Sequence, residues 1–405
     1  SMEQGGDVLG VFTRLAEGAK LIEEGVKKET GADAAFMMHP IFGSLTCCPS
    51  NIGTGMRGSV HILVPKLIAT IGFEAIDKMC RERNCQARGS SGEHSAVVDR
   101  IDVSNWRRIG FPEYELVHDM IKCANFLAEE EDKLPDVVAA PAGEDATSVM
   151  LAAGYIVQGS PEAAAADPDF DLILNPSLAK NEYPKAELEA ARAADHTSLS
   201  SQFCTEEVWN QYKDKISSGP AKWTLARAIN SGTCYPSSFV GCHAGDSSSY
   251  DDFKDFFYPV IQAYHKGFDI NTTKHVTDMD PSKITTTLSD TAKSKIISTR
   301  IRVARNLAMF PLNPGASKET RPAICDMMEK VYAGIDPAND LSGDMFRHTT
   351  MSDEQRQGLI DDHFLFRGKD SMQAASGYHT YWPEGRGVFH NKSKTFVNWL
   401  NEGDH

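Results

Sequence analysis

The stretch 295–306 reads KIISTRIRVARN and is the clearest strand in the chain. Arg300 and Arg302 stand two apart, so on a strand they share a face, with Arg305 close behind. Planar guanidiniums held side by side suit phosphate oxygens, although an arbitrary Arg-x-Arg is more often a solvated strand edge. A second stretch, MRGSVHILV at 56–64, alternates in the same way: Met56, Val60, Ile62 and Val64 on one face, Arg57, Ser59 and His61 on the other. A third, KTFVNWLNEGDH at 394–405, is apolar on both faces through Phe396, Val397, Trp399 and Leu400, as a strand buried on both sides reads, and runs into the acidic turn Glu402-Gly403-Asp404-His405.

Between these strands the character of the chain changes. Residues 8–28 set Phe12, Leu15, Ala16, Ala19, Ile22 and Val26 on one helical stripe. Residues 134–184 hold Pro135, Pro141, Pro161, Pro168, Pro176 and Pro184, an Ala run at 163–166 and few aromatics, the composition of a linker, with the apolar patch SVMLAAGYIV inside it. From 186 to 270 the patterns are helical, including a weak capping box at Ser249–Asp252. From 290 onward strand and helix mix again, and each motif occurs once.

Composition narrows the function. At 405 residues the chain can bury two or three cores. Its 56 acidic against 41 basic residues give a net charge of −15, which opposes nucleic acid and anionic membrane surfaces, so any anionic ligand must be met by a local arginine cluster. Nine cysteines without a CxxC pair suggest a reduced, cytoplasmic setting, and the start SMEQGGD lacks the pattern of a secretory signal.

Three further stretches carry chemistry. In TCCPSNIGTGMRGSVH, 46–61, a Cys beside Pro, Ser and a Gly-rich turn could hold a hydroxyl-stabilised thiolate, or be an inert buried thiol. ARGSSGEHS, 87–95, has the make-up of a mobile loop able to bring a carboxylate over a ligand. YWPEGRGVFHNKSKTF, 381–396, places His390 where it could stack on a base, although a lone His near a strand is more often structural.

Taken together, STRIRVARN, CPSNIGT with RGSVH, ARGSSGEH, IDDHFLF, YWPEGRGVFHN, WLNEGDH and VGCHAGDSSSYDDF resemble the phosphagen kinases, the arginine and creatine kinase family. The resemblance covers nearly everything outside 134–184. Its order is rotated: 1–133 is similar to the back half of the family's catalytic domain, 185–285 to its small α-helical guanidine-specificity domain, and 286–405 to the first half of the catalytic domain, with 134–184 between as interdomain linker. The resemblance therefore implies an α+β fold, a small all-α domain plus a larger domain with a mostly antiparallel sheet flanked by helices, circularly permuted in this chain. That order fits a stretch spanning the junction of a tandem-repeat kinase better than a true permutant, and it brings His405 near Ser1.

The resemblance also implies roles. Arg300, Arg302, Arg57 and Arg88 match arginines that hold ATP phosphates, and His390 and His61 match residues near the adenine and ribose. Cys48 matches the cysteine that contacts the guanidinium, and Glu93 one of two carboxylates that orient it. Glu402 and Asp404 match residues that hold the waters of magnesium, so MgATP and MgADP are the implied cofactors. Gly403 stands where the family's NEEDH turn carries the second, substrate-facing carboxylate. Val240, Gly241 and His243 fall in the substrate loop, whose short length favours arginine, while VGCHAGD reads like creatine and taurocyamine kinases. The implied activity is reversible γ-phosphoryl transfer from MgATP to a small guanidine, L-arginine first, for ATP buffering. The alternatives are a taurocyamine or related guanidine kinase and a catalytically silent nucleotide-binding module. The expected partner is a homodimer mate or an intramolecular repeat.

Overall fold

The computed structural model describes residues 1–89, 99–136, 172–194, 197–365 and 371–403. Its strands are β1 (Met2–Gln4), β2 (Met38–His39), β3 (Gly43–Ser44), β4 (Met56–Leu63), β5 (Cys85–Gly89), β6 (Arg100–Asn105), β7 (Ile296–Val303), β8 (Gly343–Arg347), β9 (Gly387–Asn391) and β10 (Val397–Leu400). Five of them form one antiparallel sheet in the order β1-β7-β4-β6-β5, and three form another, β10-β9-β8. The register converts the alternation of MRGSVHILV and STRIRV into two faces. Arg302 lies opposite Arg57, Arg300 opposite Ser59, and Asp102 opposite both His61 and Arg88. The reverse face sends Ile301, Val60, Ile62, Ile101 and Val103 into a core closed by helices Val8–Thr30, Glu113–Asp132 and Thr320–Ala333. A strand of period two can serve both faces because its side chains alternate.

Helix Val8–Thr30 buries the stripe containing Phe12, Leu15, Ile22 and Val26. It starts where the Asp7 carboxylate accepts from Gly10 N at 2.9 Å and stops where Gly31 turns left-handed at φ 67°. An N-cap of this kind is worth about 1 kcal/mol.

The second unit is all helix, with short helices between Lys185 and Tyr264 packed on Trp209, Leu225, Tyr250, Phe253, Phe256 and Phe257. Thr205, Thr224 and Ser198 cap three of them through their hydroxyls. The capping box at Ser249–Asp252 does not form. Asp246 takes the bonds instead, accepting from Ser249 Oγ at 2.6 Å, Ser249 N at 3.0 Å and Ser217 Oγ at 2.7 Å, so a buried carboxylate outcompetes the local cap. Much of the Pro/Ala-rich stretch, with its apolar patch, lies outside the described residues. Its end does not behave as a free linker: Asn175 N donates to Asn230 Oδ1 at 2.9 Å, Asn230 Nδ2 donates to Ile173 O at 2.6 Å, and Leu178 on the turn Pro176–Ala179 is buried in the helical core.

The α+β architecture with an antiparallel sheet and a separate helical unit is thus as expected. The two units are tied at the Cys47 turn, where Ala244 N donates to Cys47 O and Tyr250 Oη to Thr46 O, both at 2.7 Å. The two sheets touch where Met2 N donates to Thr395 O at 2.9 Å. Phe396 and, on β10, Leu400 enter the main core while Val397 and Trp399 join a smaller one, so β10 is covered on both faces; among the described strands it pairs with β9.

Candidate active site

The polar face of the five-stranded sheet is where the arginines collect. Arg57 donates through Nη2 to Asp102 Oδ2, and His61 Nε2 lies 3.7 Å from Asp102 Oδ1. Arg302 stands over them, its pKa pushed down to about 9 by burial, then by Arg300, Arg57 and Arg108, with Asp102 opposing. Arg300 is an exposed residue that lines a cleft, and desolvation there, followed by Arg57, lowers its pKa as well. Burial also holds the His61 imidazole below its usual range against the pull of Asp102, so the ring is neutral at physiological pH. Crowded cations facing one shared carboxylate are electrostatically unsatisfied, and their stable complement is an anion with several oxygens.

The face continues onto the three-stranded sheet. The Arg300 guanidinium lies 5.8 Å from the Trp399 ring centre, within cation–π range. His390 stacks on Phe346 at 5.2 Å, with Phe364 at 5.6 Å, and its Nδ1 lies 2.9 Å from Asn391 O. An aromatic shelf therefore borders the cationic patch.

The candidate substrate side comes from the helical unit. Cys48 precedes the single turn Pro49–Asn51, its Sγ 3.0 Å from Ser50 Oγ. The bond from Ala244 N to Cys47 O holds that turn against the loop carrying Val240, Gly241 and His243. The loop is rigid: Ser200 N donates to Val240 O and Gly232 N to Gly241 O, both at 2.9 Å, and Trp223 Nε1 to His243 O at 3.0 Å. Gly241 is required, since φ is +71° and a Cβ there would lie 2.6 Å from Ser200 Oγ and 2.7 Å from Gly232 Cα. His243 is buried between Ser231, whose Oγ is 3.1 Å from Nδ1, and the Tyr378 ring at 5.0 Å; burial lowers its pKa to about 3.

The acidic turn closes the arrangement. Glu402 is 5% exposed, with His348 Nε2 3.9 Å from its Oε1, and its charge partly offsets the burial that depresses Arg321 and Arg386. Asn313 Nδ2 donates to Asn401 O at 3.1 Å and Gly403 O at 2.8 Å. Gly403 is left-handed at φ 58°, with open space where a Cβ would stand. Among the described residues no group of three or more His, Cys, Asp or Glu is arranged to hold a metal ion directly.

The structure thus brings Arg300, Arg302, Arg57, Arg88 and His61 onto one sheet face, sets His390 at its aromatic border, and joins Cys48 to the Val240–His243 loop. Glu93 and Asp404, like His405, lie outside the described residues. Arg305 turns away: its Nη1 donates to Thr54 O at 2.7 Å and Ala304 O at 2.9 Å, and its Nη2 lies 3.4 Å from buried Glu113. Two participants were missed in the sequence. Asp102 emerges only when the register sets β6 beside β4, and Arg108 only when its loop folds beside Arg302. The alternation in RIDVSN was a signal for the first.

The family model described as ATP:guanido phosphotransferase, C-terminal catalytic domain, matches residues 1–134 and 324–405, and the one described as ATP:guanido phosphotransferase, N-terminal domain, matches 194–262. The chain belongs to the ATP:guanido phosphotransferase family. The catalytic-domain match falls on either side of the N-terminal-domain match, the permuted order that the motifs implied. All of the chain aligns with an arginine kinase of Anthopleura japonica at 34% identity over 409 residues, 48% of that protein, and with a taurocyamine kinase of Schistosoma mansoni at 30% identity, also 48% of it. A flagellar creatine kinase of Strongylocentrotus purpuratus is 32% identical, with 31% of its length covered. Among solved structures, the duplicated taurocyamine kinase from Schistosoma mansoni with bound transition state analog components is similar over 97% of this chain and 48% of that one, at 27% identity and a TM-score of 0.46. The chain spans about half the length, or less, of these relatives. Among the described residues no helix is long and apolar enough to cross a membrane.

Proposed function

We propose that this chain catalyses reversible transfer of the γ-phosphoryl group of MgATP to a guanidino nitrogen, with L-arginine as the leading substrate, in the service of ATP buffering. The observation that carries the reading is the sheet face on which Arg57, Arg300 and Arg302 crowd around one carboxylate. Such a face suits a triphosphate whose charge spreads over equatorial oxygens during transfer, where catalysis is mainly positioning and charge stabilisation. Arg88 would join it from β5, and His61 and His390 would line the base and sugar. Cys48 and Glu93 would hold the guanidinium, with the Val240–His243 loop against the rest of the substrate.

The buried carboxylate of Glu402, on a turn rich in acid, fits a hard cation that keeps its waters, so Glu402 and Asp404 would hold magnesium through water. Bound there, magnesium supplies charge neutralisation of the phosphates. A repeat within one polypeptide is favoured over a homodimer mate, because the whole chain aligns without rearrangement to relatives about twice its length. A cytoplasmic setting belongs to the same reading and rests on the cysteine spacing.

His243 in the substrate loop supports taurocyamine or a related guanidine as the next choice. Gly403 supports a second reading, a silent nucleotide-binding module, because it leaves one carboxylate fewer beside a cationic substrate. A coupled assay with MgATP and a panel of arginine, taurocyamine, lombricine and creatine tests both. Turnover with one guanidine supports the kinase reading, nucleotide binding without turnover on any supports the silent module, and failure to bind nucleotide overturns both.

A further inference from the structure

Three of the nine cysteines meet in the main core, behind the arginine face. Cys80 lies at the end of the helix Phe73–Arg81, Cys85 opens β5 and Cys123 lies midway along the helix Glu113–Asp132; all three are fully buried. On a period of two Cys85 faces away from Arg88, three residues on in the same strand. Cys123 is hydrogen-bonded to Cys80 and to Cys85, so its sulfur is the partner common to both. The turn 81–84 joins Cys80 to Cys85 at the surface: Arg81 and Glu82 are exposed, Arg83 N donates to Cys80 O at 2.9 Å, and Asn84 is left-handed at φ 60°. The trio therefore sits one layer beneath solvent.

A thiol in an apolar core is ordinarily held protonated and inert. Cys204 and Cys325 are of that kind, each pushed up to about 12 with burial as the largest cause. Cys123 is as deeply buried yet moves the other way: the bonds from Cys80 and then Cys85 pull its thiol down against burial, with the Arg83 cation assisting and Asp119 opposing. Cys80 and Cys85 rise in turn, first through the bond to Cys123 and then through burial. One sulfur thus gives up its proton ahead of the others, and two S–H groups point at it. A thiolate with further thiols in contact is the arrangement in which oxidation ends as a disulfide.

We infer that Cys80, Cys85 and Cys123 form a peroxide-oxidisable site, in which Cys123 becomes joined by a disulfide to Cys80 or Cys85. The Cys123 thiolate attacks one oxygen of hydrogen peroxide; the O–O bond breaks, the other oxygen leaves as hydroxide and takes up the proton that Cys123 released, and Cys123 becomes a sulfenic acid. A neighbouring thiol then attacks that sulfur and gives up its own proton, the S–O bond breaks, and the oxygen leaves as water. Two thiols and one peroxide become one disulfide and two waters, with two electrons passing from sulfur to peroxide oxygen. The third thiol stays within reach to exchange with the new bond. The product fastens either the start of β5, the strand that carries Arg88, or the helix before it to the helix Glu113–Asp132. No step uses nucleotide or guanidine, so the inference is independent of the kinase reading.

The test is a peptide map. Trypsin cleaves after Lys78, Arg81, Arg83, Arg88 and Lys122, so the three thiols leave on separate peptides. The folded chain and the same chain unfolded in urea receive equal hydrogen peroxide, the remaining thiols are alkylated, and the digests are weighed by mass spectrometry. The expected result in the folded chain is the Cys123 peptide cross-linked to that of Cys80 or Cys85, lighter than the pair by two hydrogens and released by dithiothreitol. Cys80→Ala should send the bond to Cys85 and Cys85→Ala to Cys80, and the double variant should leave Cys123 as a sulfenic acid that dimedone traps. Cys123→Ala should slow oxidation of Cys80 and Cys85 at least tenfold. A trio that stays reduced in the folded chain at a dose that oxidises the unfolded one, a cross-link formed in urea alone, or a Cys80–Cys85 bond that forms as fast without Cys123 overturns the proposal. The first two outcomes are read on the unaltered chain, so the test stands even where a core variant fails to fold.

Discussion

Arg300 and Arg302 differ from Arg305 in what they meet, although six residues hold all three. Arg305 spends its donors on Thr54 O, Ala304 O and the Glu113 carboxylate, which is 0% exposed and also accepts from Asp278 N at 2.8 Å. Arg300 and Arg302 share one carboxylate, Asp102, already engaged by Arg57. The cause is parity: on a period of two, position 305 falls with Ile301 and Val303 on the core side, opposite Arg300 and Arg302. Burial depresses all three, but only for Arg305 does a neighbouring acid bond to it and oppose the shift. Pairing, rather than depth or residue type, separates an arginine awaiting a ligand from one that holds the scaffold.

The largest way to strain the scaffold side of this contrast is acid. His243 and His348 titrate near 3 and His265 near 4, each because burial disfavours the cation. Their folded pKa values lie below the unfolded value near 6.5, so the unfolded chain binds more protons and stability falls as pH drops through 6.5 toward 4. Between pH 7 and pH 5 the three together should remove roughly 5 kcal/mol. Urea titrations at the two pH values measure this, and a midpoint that does not move would mean the rings titrate in the folded state as they do in the unfolded one.

On the ligand side, Arg302→Ala should lower kcat/KM for phosphoryl transfer by about 10³-fold, roughly 4 kcal/mol, while leaving or slightly raising the thermal midpoint. Arg305→Met inverts the pattern: it strands buried Glu113 and should cost about 3 kcal/mol of unfolding free energy, with turnover per folded molecule unchanged. If Arg302→Ala unfolds the chain, or Arg305→Met disables a folded one, the division between the two kinds of arginine fails. The smallest effect is expected at Gly403→Glu. The site has room for a side chain, so a left-handed residue costs about 1 kcal/mol in stability, while the added carboxylate should raise turnover about tenfold in steady-state assays.

Much of this was legible in the sequence where one period sufficed. The alternation in MRGSVHILV and the stripe in 8–28 named their own faces, because a side chain's direction on a strand or helix follows from its spacing. β1 was not legible, since Met-Glu-Gln is a strand only by virtue of lying between Thr395 and β7. Asp102 and Arg108 depend on which strands and loops become neighbours, which spacing along the chain does not encode. Leu178 and Asn175 were hidden for a different reason: a composition rich in Pro and Ala says that a segment gains little from burial, but a single Leu and one Asn bond suffice to pin it. Cys48, Arg57, Arg88 and the acidic turn could be named as candidates from motif resemblance, but their grouping is a property of the register.

One short segment has a mechanical consequence. Leu312 N donates to Gly245 O at 3.0 Å, and the adjoining Asn313 grips the acidic turn at Asn401 and Gly403 and takes a 2.5 Å bond from Arg321. With Ala244 bonded to Cys47, the substrate loop, the thiol turn and the acidic turn are fastened to one another like the fixed jaw of a vice. Any motion that admits and releases ligand must then hinge outside these three turns.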